Sequence, residues 1–214
     1  MTASAESAAA RQLTVRRGIL LSYATIGYNS LEAIGSLIAG LLSGSVALVG
    51  FGVDSVIEVV ASVAVQWRLR TDADVSRRPG SELLTHRIVG WCFAALAAYV
   101  TVDSIKSLVL AEEPDRSWFG LVVLALSAVV MPGLAWAKRR VAIRMQSTAL
   151  EAEAKQTSLC AYLSVIALGG VALNAFVGWW WADPVAALAM VPIIAREGIH
   201  GIRRQPHEHD TCCD

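Results

Sequence analysis

Asp54 and Glu58 stand four residues apart inside "SVALVGFGVDSVIEVVASVAVQW", a stretch otherwise almost wholly apolar. On a helix that spacing puts both carboxylates on one face, one turn above the other. Charged groups in such a segment are costly, and they persist where they bind ions or carry protons. No Lys or Arg falls in the same stretch to neutralise them. Two carboxylates that can reach one point are the beginning of a cation site.

A second stretch repeats the pattern. "STALEAEAKQTSLCAYLS", Ser147 to Ser164, aligns with "SVALVGFGVDSVIEVVAS", Ser45 to Ser62, at a constant offset of 102 residues. Ser-x-Ala-Leu opens both; Gln156 then falls on Asp54, Cys160 on Glu58 and Ser164 on Ser62. Asp54, Glu58, Gln156 and Cys160 together supply carboxylate, amide and thiolate donors, two from each of two helices, and such a set can hold a divalent cation tetrahedrally. For Gln156 and Cys160 a plainer use is open, as inter-helix glue and a small apolar filler.

The elements that must position these residues are membrane spans. Of 214 residues 55% are hydrophobic and only 17% charged, with mean hydropathy +0.53, whereas a soluble domain carries about a quarter charged residues. The formal net charge is zero, which gives no case for nucleic acid as a partner. Cys92, Cys160, Cys212 and Cys213 show no repeated spacing of a disulfide scaffold. No nucleophile–base pair at working spacing is found, so an enzyme is not expected. Nor is there a Walker-type phosphate loop, or a motif that implies a resident cofactor.

Six segments can each cross roughly 30 Å of hydrocarbon: Gly18–Leu42, Ser45–Trp67, Ile88–Leu110, Trp118–Trp136, Thr148–Val177 and Pro184–Ile199. The sixth opens on Asp183-Pro184, a capping side chain followed by proline at the first helical position. The expected fold is an all-α bundle of six transmembrane helices: an N-terminal tail over 1–17, a membrane domain over 18–202 and a His/Cys-rich tail over 203–214. Lys and Arg set the orientation. Fifteen lie in the N-terminal tail, the second-to-third and fourth-to-fifth connections (Lys138 included) and the C-terminal end, against Arg116 alone on the other side. Both termini are therefore expected in the cytosol, of a bacterium with this chain in its inner membrane. Trp118 and Trp179–Trp181 then fall at the outer interface.

With that orientation the second span runs inward and the fifth outward, an inverted repeat of the kind that brings a transporter's site to the midplane. Nine residues from each opening serine is about 14 Å of helix, so Asp54 and Gln156 are expected at similar depth. Asn29 and Glu32, three apart in the first span, either support the site from behind, carry a proton, or form a polar contact between helices. Asp103 and Lys106 look like an ion pair near the end of the third span. In the tail, "HEHDTCCD" gathers His207, His209, Asp210, Cys212 and Cys213, which either capture metal for the membrane site or are incidental to a polar tail.

The segments "YNSLEAIGSLIAGLLSGSVAL", "DSVIEVVAS", "DSIKSL" and "ALEAEAKQTSLCAYLS" resemble the cation diffusion facilitator, or cation efflux, family, and the likeness covers most of the chain. It implies six spans, cytosolic ends, a homodimer, and export of zinc or a related metal in exchange for protons. In the family pattern span two gives two aspartates (or His and Asp) and span five gives His and Asp. Asp54 and Glu58 match the first pair; Gln156 and Cys160 depart from the second. A thiolate shifts preference toward softer metals, so Zn2+ is the expected ion, with Cd2+, Co2+ or Fe2+ as the alternatives. The chain stops soon after span six and resembles a short form without the family's usual cytosolic domain. The competing expectation is a membrane-embedded sensor or accessory subunit that binds metal without moving it.

Overall fold

The computed structural model describes residues 2–71, 78–145 and 148–203, and side-chain surroundings within 18–63, 87–144, 150–151 and 153–203. Six helices follow one another: α1 (Thr2–Ser43), α2 (Val46–Thr71), α3 (Arg78–Leu110), α4 (Trp118–Met145), α5 (Thr148–Val177) and α6 (Ala182–Arg203). Among the described residues there is no strand. Five helices, α2 to α6, are long and apolar enough to cross a membrane. α1 falls outside that group because Asn29, Ser30 and Glu32 interrupt its apolar run. The chain is an all-α, multi-pass integral membrane protein. Leu31, Leu42, Val109 and Val129 turn outward, each more than 70% exposed, as lipid-facing side chains should.

α2 packs against α1, α3, α5 and α6. Two-thirds (67%) of its apolar span is buried and half (50%) of α5's, against 33% or less for those of α3, α4 and α6. The two helices that carry the repeat therefore form the middle of the bundle. Their register is antiparallel and is fixed by two side-chain bonds. Thr157 Oγ1 donates to Glu58 Oε1 at 2.7 Å, and Ser62 Oγ donates to Glu153 Oε1 at 3.3 Å. Four residues forward along α2 is thus four back along α5.

At one end the short connections are tied together. Gly44, with φ of 68°, makes the tight turn between α1 and α2, a backbone region where glycine has no steric penalty. Asp115 N–H donates to Ser43 O, and Asn174 Nδ2 to Pro114 O. Trp118 meets Phe176 edge to face, and Trp179 stacks on Trp181. These indoles share the end that carries few basic residues, as expected of an interfacial belt.

Three sequence expectations change. Asp183 does not cap its own helix, which already begins at Ala182. It reaches α2 instead, accepting from Ser45 Oγ at 2.6 Å and from the backbone of Val46 at 2.9 Å and Ala47 at 3.5 Å. Ser45 Oγ in turn accepts from Leu48 N–H, so the orphan amides at the start of α2 are met by a side chain 138 residues away. Lys106 pairs with Glu112 at 3.0 Å, while Asp103 accepts from Tyr99; the lysine reaches past the helix end to a loop carboxylate. Finally, α4 does not stop at Trp136 but continues to Met145, which carries Lys138 into the bundle.

Candidate metal site

Asp54 and Glu58 lie on the inward face of α2, 4% and 2% exposed. With Gln156 of α5 and Glu197 of α6 they line a small cavity, whose remaining wall is apolar and includes Phe93 and Leu163. Cys160 is buried beside this cavity without lining it; its Sγ is 3.8 Å from Glu32 Oε1 on α1, and it stays within electrostatic reach of Asp54 and Glu58. Three of the four expected ligands thus share one cavity, and the fourth stands behind it.

Their levels differ from the expectation. By the register of α2 against α5, Asp54 is level with Cys160 and Ala161, and Glu58 with Gln156 and Thr157. Asp54 and Gln156 are consequently about five residues, or about 7.5 Å, apart in depth. The repeat relates them across a central point rather than at one height, because an inverted repeat exchanges up for down. All four residues still straddle that point within about one helical turn.

Several buried polar atoms have no partner: Glu58 Oε2, Glu32 Oε2, both polar atoms of the Asn29 side chain, and Gln156 Nε2. Glu32 Oε1 accepts from Ser55 at 2.7 Å, so only half of that carboxylate is satisfied. An unmet buried polar atom costs about 1–3 kcal/mol, and of these residues Glu58 and Gln156 line the cavity itself. Asn29 and Glu32 do not line the cavity; Glu32 Oε1 lies 3.8 Å from Cys160 Sγ. Among the described residues no three His, Cys, Asp or Glu side chains stand together closely enough to hold one metal ion, so a bound cation has to draw its donors inward.

One side chain changes the electrostatics. Lys138, assigned from sequence to a cytosolic connection, is fully buried and pairs with Glu153 of α5 at 2.9 Å. It also donates to Thr157 Oγ1 at 3.0 Å, and that hydroxyl donates on to Glu58. Ser22 and Ser62 donate to the same Glu153 carboxylate at 3.1 and 3.3 Å. The lysine is invisible as a site residue because it opens the basic run Lys138-Arg139-Arg140. Glu153 and Thr157 carried a signal, since at three- and four-residue steps they share a helix face with Gln156 and Cys160. The tail residues His207, His209, Asp210, Cys212 and Cys213 lie outside the described residues, as does Ser147 of the repeat.

Comparison with known proteins agrees with the membrane fold. The family model of the cation efflux transmembrane domain matches residues 22–204. An uncharacterized transporter of Synechocystis sp., sll1263, is 26% identical over 169 residues, covering 76% of this chain and 54% of its own. An uncharacterized transporter of Bacillus subtilis, YdbO, is 29% identical over 178 residues, covering 77% and 58%. The chain spans little more than half the length of these relatives.

Proposed function

Since the chain belongs to the cation efflux family, we propose that it exports a divalent transition metal, zinc first among them, from the cytosol in exchange for protons. One observation carries the reading: Glu58, 2% exposed and with its Oε2 lacking a hydrogen-bond partner, borders a cavity shared with Asp54 and Gln156 at the centre of the bundle. Lys138 acts on Glu58 only from beyond Thr157 and is itself paired with Glu153, so the buried carboxylates of Glu58 and Asp54 together still need a cation or a proton. Metal and proton compete for the same oxygens, so binding one releases the other. That competition is the elementary step of an exchanger.

In this reading Asp54, Glu58 and Gln156 offer oxygen donors and Cys160 a soft one, after small inward movements. Two outward charges cost about 4.6 kcal/mol per 100 mV of inside-negative potential, and two returning protons cancel that cost. The exchanger sits in a bacterial inner membrane and works as a homodimer. The test is uptake by purified protein in liposomes, across a panel of metals, with and without an imposed pH gradient. Zinc flux that accelerates with the gradient supports the reading. Tight zinc binding with no flux under any gradient would instead make the chain a sensor.

A further inference from the structure

The cavity holds a carboxylate that the repeated motif does not contain. Glu197 comes from α6 and lines the same space as Asp54, Glu58 and Gln156. It stands within electrostatic reach of Asp54. Its orientation follows from its neighbours. Ile193 and Ile194, four and three residues earlier, line the cavity too, and Ile194 is 1% exposed. Gly198 is turned toward α3, where it and Gly90 let the two backbones touch: a Cβ at Gly90 would lie 2.9 Å from Gly198 O. That close approach fixes the rotation of α6 and keeps Glu197 facing inward.

Depth can be counted from a common origin. Ser45 and Asp183 are bonded at the starts of α2 and α6, and both helices run away from that bond in the same direction. Glu58 is thirteen residues beyond Ser45 and Glu197 fourteen beyond Asp183, so the two carboxylates lie level, each about 20 Å from the bond. Asp54 is one turn nearer to it. Glu197 is partly exposed while Asp54 and Glu58 are buried; it therefore forms the outer edge of the cavity, at the level of Glu58. Among the described residues it has no ion pair: the pairs there are Lys106–Glu112, Lys138–Glu153 and Lys155–Glu151. Glu58, almost fully buried and with its Oε2 lacking a hydrogen-bond partner, borders the same space.

Resting on the transporter reading above, we propose that Glu197 is a cargo-binding residue: it takes the divalent cation at the mouth of the cavity and passes it to Glu58 and Asp54. Three helices, not two, then contribute donors, and α6 joins α2 and α5 as part of the transport path. A carboxylate at the edge of the cavity suits this step, because it is less enclosed than Asp54 and Glu58 and can release the cation inward. Two buried carboxylates beyond it provide the deeper well.

The experiment measures zinc uptake into liposomes against zinc concentration for wild type, Glu197→Gln, Glu197→Asp and Asp54→Asn, with equilibrium zinc binding to the detergent-purified proteins alongside. Glu197→Gln is expected to raise the half-saturating zinc concentration roughly tenfold while the maximal rate stays within about twofold, the pattern of a lost binding contact. Glu197→Asp should recover most of the affinity, and Asp54→Asn should move no zinc. An unchanged half-saturating concentration in Glu197→Gln, with wild-type flux intact, overturns this inference alone. A fall in maximal rate and thermal stability without a change in half-saturation also overturns it, since that is the behaviour of a packing residue. Wild-type protein that neither binds nor moves zinc overturns both readings.

Discussion

Replacing Lys138 with methionine tests the buried network directly. The lysine side chain is 0% exposed and its partner Glu153 4%, at 2.9 Å. Removing one member of such a pair leaves a bare charge inside the bundle, which costs about 3–5 kcal/mol in typical proteins. Glu153 keeps hydroxyl donors from Ser22 and Ser62, so the expected loss for Lys138→Met lies at the lower end, about 3 kcal/mol. Glu153→Leu should cost a similar amount, because it strands the ammonium. The double variant, with neither charge, should be less destabilised than the sum of the two by at least about 2 kcal/mol. Reversible unfolding in mixed micelles of rising denaturing-detergent fraction reads all four proteins. Single losses below about 1 kcal/mol that simply add would show that water reaches the pair and screens it, and would refute the picture of a dry network.

Asp54→Asn and Glu58→Gln should each abolish metal flux in liposomes while leaving thermal unfolding and the elution profile unchanged; collapse of the fold would make the pair structural. Cys160→Ser should weaken cadmium transport several-fold more than cobalt transport, because oxygen replaces a soft donor; equal effects on every metal would reduce Cys160 to packing. Asp183→Ala strips acceptors from Ser45 Oγ and two backbone amides and should destabilise by about 2–4 kcal/mol in the same micelle assay. A loss under about 0.5 kcal/mol would mean water replaces the cap.

Apolar runs of sufficient length made the six helices legible, since the bilayer imposes length and hydrophobicity on any span. The repeat at 102 residues put the right two helices together, because polar side chains survive in a span only where something meets them. What stayed hidden depended on contacts between distant segments. Asp183-Pro184 has the local chemistry of a helix start, and nothing local says that the aspartate serves α2 instead. Lys138 sits in a basic run that resembles any cytosolic connection; only the continuation of α4 to Met145 and the facing Glu153 draw it inside. Glu197, in "REGIH" near the end of the last span, looks like a solvated charge until the glycine contact with α3 sets the rotation of its helix. The vertical order of Asp54 and Gln156 needed the α2–α5 register, which side-chain bonds define and sequence spacing does not.

The bond between Asp183 and Ser45 also determines how the bundle can deform. Joined at 2.6 Å where both helices begin, α2 and α6 cannot slide past one another without uncovering three donors at once. The motion left to them is a tilt with its fulcrum at that bond. Displacement then grows along the lever arm: a tilt of 10° moves the helices by about 3.5 Å at the level of Glu58 and Glu197, some 20 Å away, and by almost nothing at the bond itself. α6 carries α3 with it through the Gly90–Gly198 contact, so the swinging arm is a helix pair. One end of the bundle is thus a clasp, and any such tilt spends its displacement at the other.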